Sequence, residues 1–255
     1  MRTIRSIATF LALATGIQFF LVAQPAASSP KVASAVPFIG CKSDGQVGPL
    51  EAPKGKSKVV PIRAELAQRL AYYKAEQGFG VLAPRGWYCF GTYGSNGGSL
   101  FVSPEAINAK SLFSTNWKDF PGPVIQLATE SGDTSGRFAV ASTIARVFPA
   151  HKAFVKRIIA EDIAQASDFP SGPYPKDKLI YKSKEIVEYQ TPAQTDGLGT
   201  QSRLLKNSEP IIGVEILVGE TPDLLSLAMR LPSDSNDLTS TIIQSVEREA
   251  ANHDR

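Results

Sequence analysis

Histidine and cysteine are almost missing from this chain, with two of each among 255 residues. His253 lies at the extreme C-terminus, so a Ser–His–Asp site would have to use His151, in the first turn of an expected helix after Phe148-Pro149-Ala150. Two cysteines without a CxxC spacing leave thioredoxin-like redox chemistry without its motif, and zinc without its usual ligand set. Gly197-Leu198-Gly199 lacks the third glycine of a phosphate loop. Gly132-Asp133-Thr134-Ser135-Gly136 carries threonine where a nucleophile elbow needs serine. Ser233-Asp234-Ser235-Asn236-Asp237 has oxygen ligands but neither the central glycine nor the closing glutamate of a calcium loop. No metal and no cofactor is expected, and no internal repeat is present.

A secretory leader is present by pattern. Arg2 and Arg5 form a basic start, Ile7 to Ala23 is apolar with few interruptions, and Ala26-Ala27-Ser28 offers a cleavage site. Residues 1–27 are assigned to this signal peptide, with Leu21-Val22-Ala23 and Ala33-Ser34-Ala35 as other sites for the cut. Two rival readings are an uncleaved anchor, for which the run is short, and a lipid-modified Cys41 preceded by Phe38-Ile39-Gly40. Cleavage places the chain in the periplasm or outside the cell, without stable membrane insertion. It removes two arginines and no acids, lowering the formal charge from +3 to +1. A field for nucleic acid is then absent. In an oxidising compartment the lone pair Cys41 and Cys89 reads as one disulfide; a reactive thiol is the alternative.

Residues 28–60, rich in Pro, Gly, Ser and Lys, read as an extended N-terminal arm, ordered mainly near Cys41, and residues 61–251 as a single domain. Ile62, Leu66, Leu70 and Tyr73 recur at helical spacing up to Gly78, predicting a helix that starts at Pro61. From Gly78 the pattern is strand, corner at Pro84–Gly86, strand, Asn96-Gly97 turn, strand. Trp87, Cys89 and Tyr93 share one face, and Tyr88, Phe90 and Thr92 the other. A strand at 124–129 and helices at about 137–147 and 150–166 follow, then one strand candidate at 179–191. The clearest strands are 211–218 and 224–231, joined as a hairpin, with Ile212, Val214, Ile216 and Val218 on one face and Leu225, Leu227, Met229 and Leu231 likewise. A C-terminal helix carries Leu238, Ile242 and Val246. The fold class is α+β, a mostly antiparallel sheet with helices packed on it.

Three segments carry a family resemblance. Phe79-Gly80-Val81-Leu82-Ala83-Pro84-Arg85-Gly86-Trp87 resembles the opening strand of PsbP-like α/β/α sandwich proteins, Lys184-Glu185-Ile186-Val187-Glu188-Tyr189 a middle strand, and the hairpin 211–231 with Thr241 to Ser245 the closing hairpin and helix. The resemblance implies an extracytoplasmic, mostly non-catalytic accessory protein that binds larger partners. It carries over no functional residue.

The candidate binding residues are Trp87, Tyr93 and Asn96 on the aromatic strands, and Asp196 and Thr200 in the polar loop 191–202. No catalytic residue is assigned. The leading expectation is a secreted or periplasmic non-catalytic accessory protein that binds a partner protein or envelope component. The alternative is an extracytoplasmic hydrolase built on His151 or on carboxylates such as Asp133, Glu188 and Glu215. Convergence of such groups in a deep pocket would favour the enzyme.

Overall fold

A computed structural model describes residues 33–115 and 118–253. The leader and the start of the arm lie outside the described residues. The elements run, in order, β1 (Ala33–Cys41), β2 (Ser43–Gly45), β3 (Ser57–Pro61), α1 (Ala64–Arg69), β4 (Leu70–Ala75), β5 (Val81–Pro84), β6 (Tyr88–Gly94), β7 (Gly97–Ser103) and α2 (Ala109–Leu112). They continue with β8 (Val124–Glu130), α3 (Arg137–Val147), α4 (Lys152–Ile159), β9 (Lys178–Tyr181), β10 (Ile186–Thr191), β11 (Ile211–Val218), β12 (Asp223–Arg230) and α5 (Thr239–His253).

The protein is α+β. Its large sheet has the order β2-β6-β7-β8-β12-β11-β10-β9 and its small sheet the order β3-β1-β4-β5. All pairings are antiparallel except β1 with β4 and β2 with β6. One face of the large sheet packs on the small sheet and α5: Leu100, Val102, Ile125, Leu127, Val214, Ile216, Leu225, Leu227 and Met229 join Tyr73, Leu82, Ile242 and Val246 in one core. The opposite face carries a cluster with α3 and α4, including Val140, Ile144, Ile158 and Val187, and a separate one around Phe90, Phe101 and Phe120. The period-2 faces read from the 211–231 hairpin are those that enter the first core.

Several expectations are corrected. The extended arm expected at 28–60, ordered mainly near Cys41, enters both sheets over its described residues: β1 pairs with β3 and β4, while β2 pairs with β6. The helix expected from Pro61 to Gly78 lasts only from Ala64 to Arg69, after which Leu70–Ala75 is a strand. Leu70 to Tyr73 are all buried, so this central strand shows no alternation, and a short run buried on both faces fits either period. The single strand expected at 179–191 is the hairpin β9–β10, and the second helix stops at Ile159. The first hairpin turns at Ser95-Asn96 rather than at Asn96-Gly97. Gly97 closes it at φ +144°, where a Cβ would lie 1.9 Å from the Thr129 carbonyl oxygen, so only glycine fits.

Cys41 and Cys89 form a disulfide with Cα atoms 5.4 Å apart. It ties β1, in the small sheet, to β6, in the large one. A bond to Cys89 leaves no place for the lipid-modified Cys41, and among the described residues no cysteine is free.

Candidate functional site

The helix-covered face of the large sheet is not uniformly apolar. Ser99, Ala128, Ser226 and Glu215 are successive cross-strand partners on β7, β8, β12 and β11. Directly paired residues project to the same face, so these four make one row, spanning about 14 Å at the usual strand spacing. The next row is Phe101, Gln126, Ala228, Gly213 and Tyr189. Ala128 and Ala228 are small where a core sheet would carry Val or Leu. They leave a groove of about 210 Å³, walled by Ala139, Ser142, Thr143 and Arg146 of α3 on one side and by Leu198, Gln201 and Ser202 on the other.

Gly213 lies beneath Tyr189, which lines the groove. A Cβ there would sit 1.8 Å from the Leu227 carbonyl oxygen and 2.6 Å from the Tyr189 hydroxyl. Tyr189 instead lies across the glycine and donates to the Leu227 carbonyl at 3.1 Å. Gly213→Ala is expected to cost about 2–3 kcal/mol through this overpacking, read as a lowered midpoint in urea unfolding.

Glu215 is the centre of the groove. It is 5% exposed, and burial pushes its carboxyl up to about 8, against a weaker opposing pull from the Ser226 hydroxyl that donates to it. At neutral pH Glu215 is therefore a neutral acid, able to donate a hydrogen bond as well as accept one. Burial, with Glu215 and Asp177 nearby, also raises Tyr189 well above the ordinary phenol value. Gln126 accepts the Arg203 backbone N–H at 2.8 Å and points its amide nitrogen to Ser99 at 3.4 Å. Glu130, at the rim, is raised by burial despite a contact from Asn96. Arg146 lies over the Tyr174 ring at 4.3 Å and donates to the Gly172 carbonyl at 3.3 Å.

Of the residues singled out from sequence, Glu215 lies in this groove and the others do not. Trp87 packs at the edge of the first core and donates its backbone N–H to the Tyr73 hydroxyl. Tyr93 donates to the Gly48 carbonyl, tying β6 to the turn after β2. Asn96 sits in the first hairpin turn beside Glu130. Asp196 pairs with Lys206 at 2.8 Å on the surface, and the Thr200 hydroxyl closes on the Gly197 backbone. That loop still serves the groove, through Gln201 and Ser202. Asp133 accepts from Ser131 in its own loop, and Glu188 pairs with Lys182 at 3.1 Å. His151 stands 3.9 Å from Glu185, outside the groove.

A larger cavity of about 670 Å³ opens between Phe79, Val218 and Leu225 and the end of α5. Of its three acids, Glu130 is shared with the rim of the groove, and Asp223 and Glu249 serve the fold. Glu249 accepts from Tyr72 and Gly80, and Asp223 from Ser131 and Gly132. The groove differs: the side chains of Ser142, Thr143, Tyr174 and Gln201 line it without a hydrogen-bond partner among the described residues. Ser142, Thr143 and Tyr174 are half-buried and Gln201 is exposed, so their polar atoms face solvent in the groove and carry no burial penalty. Among the described residues no group of three or more His, Cys, Asp or Glu is placed to hold a metal ion, and no helix is long and apolar enough to cross a membrane. No family model, curated protein or solved structure matches the chain.

Proposed function

We propose that the protein works outside the cytoplasm as a non-catalytic binding protein, and that it takes a small polar component of the envelope into the groove between α3 and residues 198–202. The leader pattern and the Cys41–Cys89 disulfide support the address. The observation that carries the binding role is the Ser99–Ser226–Glu215 row, polar groups sunk at the bottom of a walled groove where a core is otherwise expected. A carboxyl that keeps its proton at neutral pH can donate a hydrogen bond to a polar ligand, which suits Glu215 to binding. The PsbP-like resemblance points the same way.

The test is occupancy. Protein recovered from its native envelope fraction is expected to carry one small molecule in native mass spectrometry, and Ser142→Trp, which fills the groove from its wall, is expected to carry none at an unchanged fold. Equal retention by both forms would refute the groove as the site.

A second reading, a hydrolase with Ser226 as nucleophile and Glu215 as base, is favoured by the hydrogen bond between them. It requires turnover of chromogenic esters or glycosides that rises as pH passes about 8, where Glu215 ionises, and that disappears in Ser226→Ala.

A further inference from the structure

Arg146 differs from the other arginines of the helices. Arg69 is paired with Asp237 at 2.6 Å and Arg137 with Glu161 at 2.9 Å; Arg146, Arg157 and Arg248 have no carboxylate within ion-pair distance among the described residues, and of these three only Arg146 lines the groove. Its guanidinium is fixed by the Tyr174 ring beneath it and by one hydrogen bond to Gly172, which leaves most of its five N–H donors unassigned. Ser142 and Thr143 stand four and three residues before it, so all three share one face of α3, the face that walls the groove. A guanidinium held over a ring beside hydroxyls can receive a carboxylate. The groove's 210 Å³ is below the roughly 300–1,000 Å³ of drug-sized sites, so the ligand is small.

Resting on the groove reading above, we propose that the ligand is a small hydroxylated carboxylate of the sugar-acid type, with its carboxylate on Arg146 and its hydroxyls between Ser142, Thr143, Gln201 and the Ser226–Glu215 pair. A neutral Glu215 complements it by donating to a hydroxyl without repelling the anion.

Calorimetric titration of the folded protein with D-glucuronate, D-gluconate and D-glucose tests this. At least one of the two acids is expected to bind at one per chain, about tenfold or more tighter than glucose. Arg146→Gln is expected to erase that preference, Arg146→Lys to keep part of it, and affinity is expected to fall as pH rises past 8, where Glu215 becomes an anion facing the ligand. Glucose binding as tightly as the acids, no binding of either acid in the millimolar range, or an unchanged affinity in a folded Arg146→Gln would overturn the assignment. Those results leave the groove itself standing so long as Ser142→Trp empties it of the native envelope ligand. If Ser142→Trp retains that ligand, the groove reading falls as well.

Discussion

Replacing Glu215 by glutamine is expected to stabilise the protein at alkaline pH and to remove most of its loss of stability between pH 5 and 9. The folded-state value of Glu215 lies above its ordinary one, so between about 4.5 and 8 the native state holds a proton that the unfolded chain releases. Stability then falls as pH rises through this window: the protonated form is free of penalty below 4.5, and the full cost of a buried carboxylate is reached above 8. A displacement from 4.5 to about 8 corresponds to about 5 kcal/mol, an upper bound because a groove admits water to the ionised form. Glu130 and Glu247 are raised in the same direction by burial and leave a residual slope of the same sign in the variant. Urea unfolding at pH 5, 7 and 9 on both proteins reads the effect. Parallel pH profiles for the two would mean that Glu215 is ionised and hydrated at neutral pH.

Loss of the disulfide is the other large effect. Cys41 and Cys89 are 48 residues apart, and closing a loop of that length in the unfolded chain is worth about 4 kcal/mol in the chain-entropy treatment. Cys41 is buried in the core shared by the two sheets. The paired substitution Cys41→Ala with Cys89→Ala is expected to lower unfolding stability by about this amount. Dithiothreitol should destabilise the native protein similarly and leave the paired variant unaffected. Equal stability of the native protein with and without reductant would mean that the bond contributes nothing to the fold.

What was legible in the sequence follows from which signals are local. The 211–231 hairpin was legible because Ile212 to Val218 and Leu225 to Met229 alternate over a full strand each and a short turn joins them. Cys89 was placed on the correct face of β6 for the same reason. Leu70 to Tyr73 were not legible, because burial on both faces removes the alternation that tells a strand from a helix. The groove was legible only in fragments. Gln126, Glu215 and Ser226 each interrupt an aliphatic strand, and taken singly each reads as the solvent-facing member of an alternating pair. Only the order β7-β8-β12-β11 and its register bring them into one row, and register is a tertiary property. Arg146 and Ser142 read as ordinary helix surface until residues 198–202 fold against the same sheet face. Large rings are conspicuous in a sequence, but the contacts they make are tertiary: Trp87 packs at the edge of the first core and Tyr93 bonds the turn after β2.

The measurement that bears most directly on the groove as the binding site is amide chemical-shift mapping with the small-molecule fraction of the native envelope. The expected result is a set of shifts confined to Ser99, Gln126, Ser142 to Arg146, Gln201, Ser202, Glu215 and Ser226, lost in Ser142→Trp. Shifts centred instead on Phe79, Val218 and His253 at the larger cavity, or none at all, would contradict it.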